Sequence, residues 1–254
     1  MNAPPAPEAR GVPERIDALM DRASHRLIET DYFETVEFCE RSLRLAVEAA
    51  DWERFARILL PLQEARRQIR LEAVSEASGS ACPVRLVDTP TQCRAEPRAG
   101  CVLFAPPLIA ADARAFRLRA QRAHVPVLVL TREPMTREGQ WPIAAVSART
   151  VRVRLDPPRG VSAAEGTATG DRSEGVVPLA WFEGAAEALG DAGIAGVDRG
   201  LHPVHRIEAL LECLDALPDH EKLHQRLADA AREASRVPPP AARRRFEDDH
   251  PFSF

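Results

Sequence analysis

The stretch RAGCVLFAPPLIAADARAFRLRAQRAHVPVLVLTREP, residues 98–134, contains the pattern that decides the fold. Two nearly continuous apolar runs, 101–105 and 125–130, flank a segment whose apolar residues recur at helical spacing, 112–124. Short apolar runs of this kind are typical of strands buried on both faces. A helix between two of them is typical of a right-handed βαβ unit. The pattern therefore predicts two parallel strands joined by a helix.

Three further segments extend the predicted sheet. WPIAAVS (141–147) is a third candidate strand, and PVRLVD (83–88) adds another. In TVRVRLD (150–156) apolar and charged residues alternate, which is typical of an edge strand with one face in water. Helical spacing resumes at about Leu179 and continues to residue 234. The sequence thus predicts an α/β fold with a mainly parallel sheet and C-terminal helices.

The N-terminal part has a helical pattern. Apolar residues recur at helical spacing over about residues 13–71, which predicts amphipathic helices. Asp31 can cap the second of these helices, and Glu34, three residues later, can close a capping box. Asp51 can start a third helix. Pro61 is expected to kink or end that helix, because proline lacks the backbone N–H and its ring clashes with the preceding turn.

The stretch TDYFETVEFCERSL, residues 30–43, resembles the second half of a tetratricopeptide repeat. It has the acidic and aromatic turn of that motif, followed by the small or β-branched pair Thr35-Val36. Ser42-Leu43 occupy the small-residue and leucine positions. Such repeats are pairs of helices that stack on their neighbours.

The resemblance extends over about residues 16–60. Ala23 matches the small residue of the first helix, whereas Arg26 stands where an aromatic residue is expected and Val47 where proline is common. The resemblance implies a helical hairpin that holds a peptide or a neighbouring domain. One repeat cannot bury its own face, so it is expected to pack on the third helix, on the next domain or on a partner. A plain three-helix bundle is the alternative interpretation.

These patterns divide the chain into two folded parts, a linker between them, and three segments without periodicity. The stretch SEASGSACP (75–83) is rich in small residues and is predicted to link the folded parts. The predicted organisation is a disordered tail (1–12), a helical tetratricopeptide-like segment (13–74), an α/β domain (83–235) with a flexible loop (157–175), and a second disordered tail (236–254).

Composition excludes several classes of protein. The net charge of −4 gives no general attraction to nucleic acid or to an anionic membrane, and no apolar run approaches the roughly 20 residues that span a bilayer. Lys222 is the single lysine, which excludes a P-loop and a kinase active site. This bias is typical of a GC-rich genome, and we expect a bacterial protein. The five cysteines form no CxxC pair, which indicates reduced thiols in the cytosol.

HEKLH, residues 220–224, has the spacing of the zinc-protease motif. In that motif a continuous helix presents both imidazoles and the glutamate to one cleft. A proline and an aspartate directly upstream place His220 at the start of its helix instead. We therefore interpret HEKLH as a first helical turn and expect neither a metal nor another cofactor. A metal-dependent hydrolase that uses His220, Glu221 and His224 is a separate hypothesis.

The predicted sheet offers a second candidate site. Open α/β sheets bind ligands beyond the carboxyl ends of their strands, which here are residues 105–108 and 131–134. Thr131, Arg132 and the nearby Arg137 are candidates to hold an anionic ligand. An ordinary surface loop is the alternative, since no acid–base pair or glycine-rich phosphate loop accompanies them.

The helical segment is unusually rich in aromatic residues, and its predicted interaction surface consists of Tyr32, Phe33, Trp52 and Phe55. These side chains exceed what a small hairpin needs for its own core. We therefore predict a protein-interaction or scaffolding role, through a protein partner or self-association, rather than catalysis. A small-molecule-binding or enzymatic domain that uses the strand-end loops is the alternative. No nucleic-acid or membrane partner is expected.

Overall fold

The computed structural model of the chain describes residues 11–159 and 176–240. Most of the predicted loop 157–175 and of both predicted tails lies outside these residues. In chain order, the elements are α1 (Val12–Ile28), α2 (Tyr32–Glu48), α3 (Trp52–Ser78), β1 (Val84–Val87), α4 (Pro90–Arg94), β2 (Gly100–Phe104), α5 (Ala110–Arg122), β3 (Val127–Arg132), β4 (Trp141–Val146), β5 (Thr150–Leu155), α6 (Leu179–Ala195), α7 (Pro203–Ala216) and α8 (Glu221–Ala234).

The five strands form one mixed sheet in the order β1-β2-β3-β4-β5. The pairs β1–β2 and β2–β3 are parallel, and the pairs β3–β4 and β4–β5 are antiparallel. The predicted α/β class is confirmed, as is the parallel pairing of the two strands that α5 connects. β5 lies at an edge of the sheet, where Val151 is buried while Arg152 and Arg154 are exposed. This is the arrangement that its alternating sequence predicts.

Helices cover both faces of the sheet, so β2 is buried on either side. Cys101 and Leu103 face a core that they share with α3 and the C-terminal helices. Val102 and Phe104 face a second core beneath α5, where the rings of Phe104 and Phe116 meet edge-on with centroids 5.4 Å apart. Because neighbouring residues of a strand point to opposite faces, a strand covered on both sides needs a continuous apolar run.

Two turns with the same geometry join the three N-terminal helices. Each contains one residue in the left-handed region, Thr30 (φ 61°) or Ala50 (φ 51°). An aspartate follows, Asp31 or Asp51, and its side chain accepts a hydrogen bond from the backbone N–H three residues later. The N–H of each aspartate donates to the carbonyl oxygen five residues earlier. The repeated turn makes α1, α2 and α3 successive antiparallel neighbours.

The predicted cap at Asp31 is therefore confirmed, but the predicted capping box is wrong. The backbone N–H of Asp31 already donates to the carbonyl oxygen of Arg26, so it cannot donate to Glu34. The Glu34 carboxylate forms an ion pair with the side chain of Arg26 instead, at 2.8 Å.

α3 does not end at Pro61. It continues to Ser78, inside the stretch that was expected to be a linker. Proline removes one backbone donor from a helix, but its neighbours Leu59 and Leu62 are both buried in the core. Packing of the apolar face therefore outweighs the local cost of the proline.

The helical segment and the α/β part share one core. Buried residues of α1–α3, one face of the sheet and α6–α8 form a continuous apolar cluster. α3 is the shared element, since it contacts α2 as well as β2, β3 and α8. Among the helices of the described residues, none combines the length and the apolar character that crossing a membrane requires.

Candidate functional site

A groove of about 470 Å³ lies between α1 and α3. Its floor is apolar, with Ile16 and Ile58 buried and with Met20 and Leu27 partly exposed. Leu60 also lines the groove, and this side chain is 74% exposed. Apolar grooves of this size between helices suit the side chains of a docked helix or peptide.

Charged residues surround the apolar floor. The Nε atom of Arg54 lies 2.9 Å from Asp17 Oδ1, and its Nη1 atom lies 2.9 Å from Asp51 Oδ2. The hydrogen bond from Arg54 lowers the pKa of Asp17. Asp21 and Arg57 line the groove as well and are exposed. The Asp17–Arg54 pair thus ties the start of α1 to the start of α3 and fixes that end of the groove.

The aromatic residues of the predicted interaction surface are packed within the protein to different extents. Phe55 is fully buried, so it belongs to the core and not to a surface. Trp52 meets Phe55 edge-on at 5.9 Å between centroids, and Tyr32 is partly buried on the same core. Phe33 stacks on His124, just beyond α5, with centroids 5.1 Å apart and ring planes 7° from parallel. Phe33 therefore docks the helical segment on the α/β part.

The predicted strand-end residues diverge. Thr131 and Arg132 belong to β3 itself, which continues this far because it pairs with β4. Their side chains point to opposite faces of the sheet. Thr131 is 2% exposed, and the Arg132 guanidinium lies 4.8 Å from the ring centroid of Trp141. Arg137 is exposed in the turn between β3 and β4. A ligand held by these three residues stays a prediction.

HEKLH lies at the start of α8, with His220 as the N-cap and Glu221 as the first helical residue. His224 is 2% exposed. Its Nδ1 atom lies 3.1 Å from the carbonyl oxygen of His220, and its Nε2 atom lies 3.3 Å from Nη1 of Arg66. Since a carbonyl can only accept and a guanidinium can only donate, Nδ1 carries the proton and Nε2 accepts. Both ring nitrogens of His224 are therefore used inside the protein and are not available to a metal.

The neighbours of His224 keep its ring neutral. Burial lowers the pKa of His224 to about 3, and the positive charge of Arg66 acts in the same direction. Arg66 is itself balanced by an ion pair with Glu40, at 2.9 Å. This arrangement links α2, α3 and α8 through side chains that are mostly buried.

A cluster of charges surrounds the turn between α7 and α8. Burial raises the pKa of the Asp219 carboxyl, although Arg117, Arg66 and Arg70 act to lower it. Two small cavities, of about 30 and 50 Å³, lie against both Asp219 and Arg117. Cavities of this size hold a few water molecules. The cluster therefore links α3, α5 and this turn, and these two cavities are too small for an organic substrate.

The groove between α1 and α3 is the feature that sequence reasoning missed. The sequence feature that could have indicated it is ILLPL, residues 58–62. This stretch has more adjacent apolar residues than one face of a helix can bury. Ile58, Leu59 and Leu62 enter the core, and Leu60 is left outside it.

Comparison of the chain with protein-family models, with curated proteins and with solved structures gives no match. The geometry of the described residues is therefore the basis for assigning a function.

Proposed function

We propose that the protein has a protein-interaction or scaffolding role and that the α1–α3 groove binds an apolar segment of the partner. The observation that carries this proposal is Leu60, a large apolar side chain that is 74% exposed beside an apolar floor. Full burial of a leucine side chain is favourable by about 1.5–3 kcal/mol. A partner that covers Leu60 would also cover the exposed parts of Met20 and Leu27. A tetratricopeptide-like arrangement of α1–α3 fits this role.

The groove suits an amphipathic helix or a short peptide. α1 has 17 residues, so the groove can extend for at most about 25 Å at 1.5 Å per residue. About two or three apolar side chains of a partner helix, one per helical turn, fit along that length. Asp21 and Arg57 give the exposed rim both signs of charge, which favours one orientation of a charged partner segment. The partner is another protein or a second copy of the chain.

We place this function in the cytosol of a bacterial cell. All five cysteines lie among the described residues, and none of them forms a disulfide. Unpaired thiols support a reducing compartment. The net charge of −4 supports a protein partner over a nucleic acid or an anionic membrane.

Substitution of Leu60 by arginine tests the proposal. Leu71→Arg is the matched control, because Leu71 lies on the same helix, is 51% exposed and does not line the groove. To find the partner, a photo-crosslinking amino acid is placed at position 60 or at position 71 and the protein is crosslinked in cells of the native host. Mass spectrometry then identifies the proteins that each position contacts. With the purified partner, Leu60→Arg is expected to weaken binding about tenfold or more, as interface anchors do. Leu71→Arg is expected to bind like the unmodified chain.

Both variants should unfold at the same temperature as the unmodified chain, since both side chains are exposed. A crosslink from position 60 to a second copy of the chain would identify self-association as the interaction. Equal crosslinking from positions 60 and 71, or full binding by Leu60→Arg, would rule out the groove as the binding surface.

A further inference from the structure

The imidazole of His220 is inserted against α6. His220 is 6% exposed and precedes the first turn of α8. Its ring lies over Gly190, where a Cβ atom would be only 2.2 Å from His220 Cγ. The absence of a side chain at position 190 is therefore what allows the ring to approach the helix so closely.

Two carboxylates face this ring from the same helix. Glu187 and Asp191 lie four residues apart, so their side chains share one face of α6. His220 Nδ1 is 3.4 Å from Glu187 Oε2, and His220 Nε2 is 3.4 Å from Asp191 Oδ1. One ligand atom from each of the three residues lies within 4.8 Å of the other two. A metal ion binds only one of the two ring nitrogens, and in a tetrahedral zinc site with bonds of about 2.0 Å the ligand atoms are about 3.3 Å apart.

A neutral imidazole does not satisfy this arrangement. It has one N–H group and one lone pair, so one of its nitrogens must present a lone pair to a carboxylate oxygen. Within the described residues, the buried Nε2 atom has no hydrogen-bond partner. The buried ring and the two carboxylates therefore present a set of donor atoms that a metal ion can bind.

Lys222 supplies positive charge to the carboxylates. Its Nζ atom lies 2.7 Å from Glu187 Oε1 and 3.0 Å from both carboxylate oxygens of Asp191. An ammonium group donates hydrogen bonds to these oxygens but does not coordinate a ring nitrogen and two carboxylates together. A divalent transition metal does, since imidazole and carboxylate are its common protein ligands.

We propose that Glu187, Asp191 and His220 form a binding site for a divalent transition metal ion, which displaces the ammonium group of Lys222. Three protein ligands leave at least one coordination position, and the half-exposed Glu187 and Asp191 leave it open to water. The site shares only His220 with the zinc-protease motif. His224 takes no part, because both of its ring nitrogens are already used.

The test uses the full-length chain without a histidine tag, treated with a chelator and then titrated with Zn²⁺ by calorimetry. One zinc per chain is expected, and Co²⁺ should give d–d absorption bands at the same stoichiometry. Asp191→Asn and Glu187→Gln each remove a ligand and should weaken binding about tenfold or more. Lys222→Met removes the competing ammonium group and should strengthen binding. Glu183→Gln is the matched control, since Glu183 is also on α6 but lies beside Arg70, at 3.8 Å.

A second control addresses binding elsewhere. The rings of His202 and His205 have centroids 6.1 Å apart, so the His202→Ala/His205→Ala variant reports binding by a surface histidine pair. If zinc binding is lost in that variant and kept in Asp191→Asn, the proposal is overturned. It is also overturned if neither Zn²⁺ nor Co²⁺ binds to the unmodified chain. Unchanged zinc affinity in Lys222→Met would show that the metal ion does not displace the ammonium group of Lys222.

Discussion

His220 and His224 are one helical turn apart at the start of α8 but have different neighbours. α3 supplies Arg66 to His224, whereas α6 supplies two carboxylates to His220. The same five-residue motif therefore contains one imidazole beside a cation and one beside anions. The chemistry of each residue is set by the element packed against it and not by the motif.

The stability of the protein should depend on pH through His224. An exposed histidine of the unfolded chain has a pKa of about 6.5, and burial lowers the pKa of His224 in the folded protein to about 3. Between these two values the unfolded chain binds more protons, so the folded state loses stability as the pH falls. His224→Gln keeps a polar side chain and removes this titration. Urea unfolding from pH 6.5 to pH 4 should show a loss about 2–3 kcal/mol larger in the unmodified chain than in the variant.

Asp219 acts in the opposite direction. Its pKa is raised by burial, so the folded protein binds its proton more readily than the unfolded chain and gains stability as the pH falls. This contribution is common to the unmodified chain and to His224→Gln, and it cancels in the difference between them. Parallel pH profiles for the two proteins would mean that His224 is not held neutral in the folded state.

The secondary-structure elements were largely predictable where one pattern applied over the whole element. The apolar runs of β2 and β3 and the alternation in β5 identified those strands correctly. A strand buried on both faces needs a continuous apolar run, and a strand buried on one face needs alternating apolar and polar residues. The C-terminal end of α3 was not predictable in the same way. The local rule for Pro61 favours a kink or an end, and the long-range packing of Leu59 and Leu62 keeps the helix from ending there.

Two of the three glycines in α6, Gly184 and Gly190, should respond in opposite ways to the same substitution. A Cβ at Gly184 meets no atom within 4 Å, whereas a Cβ at Gly190 would lie 2.2 Å from His220 Cγ. Alanine is favoured over glycine inside a helix by about 1 kcal/mol, so Gly184→Ala should raise the free energy of unfolding by up to that amount. Gly190→Ala gains the same preference but displaces a buried ring, and overpacking costs about 1–3 kcal/mol or more. We expect Gly190→Ala to be destabilised in urea unfolding.

Each glycine serves as the control for the other, since helix and substitution are the same. If both variants are stabilised alike, the imidazole of His220 moves away from α6 without cost. That result would also remove the structural basis for bringing His220 together with Glu187 and Asp191.

The candidate sites depend on contacts across the whole molecule, and this is why sequence reasoning found few of them. Glu187 and His220 are far apart in sequence and meet because α6 and α8 pack against each other. Likewise, the groove forms because two equal turns return α3 beside α1. The periodic pattern of one helix or strand does not indicate which other element packs against it. The aromatic residues stand out in the sequence, but a sequence does not show whether an aromatic side chain turns inward, as Phe55 does, or reaches another element, as Phe33 does.

The shared core predicts that the helical segment does not fold well alone. In an isolated fragment of residues 13–75, Ile69 and Ala73 of α3 would lose the neighbours that bury them, and Phe33 would lose His124. Exposed apolar surface of this kind favours association or partial unfolding. We expect the fragment to lack a cooperative thermal transition by circular dichroism or to associate in analytical ultracentrifugation, while the full chain unfolds cooperatively under the same conditions. A fragment that is monomeric and unfolds cooperatively would show instead that α1–α3 form an autonomous domain, with α3 held by its own hairpin and not by the sheet.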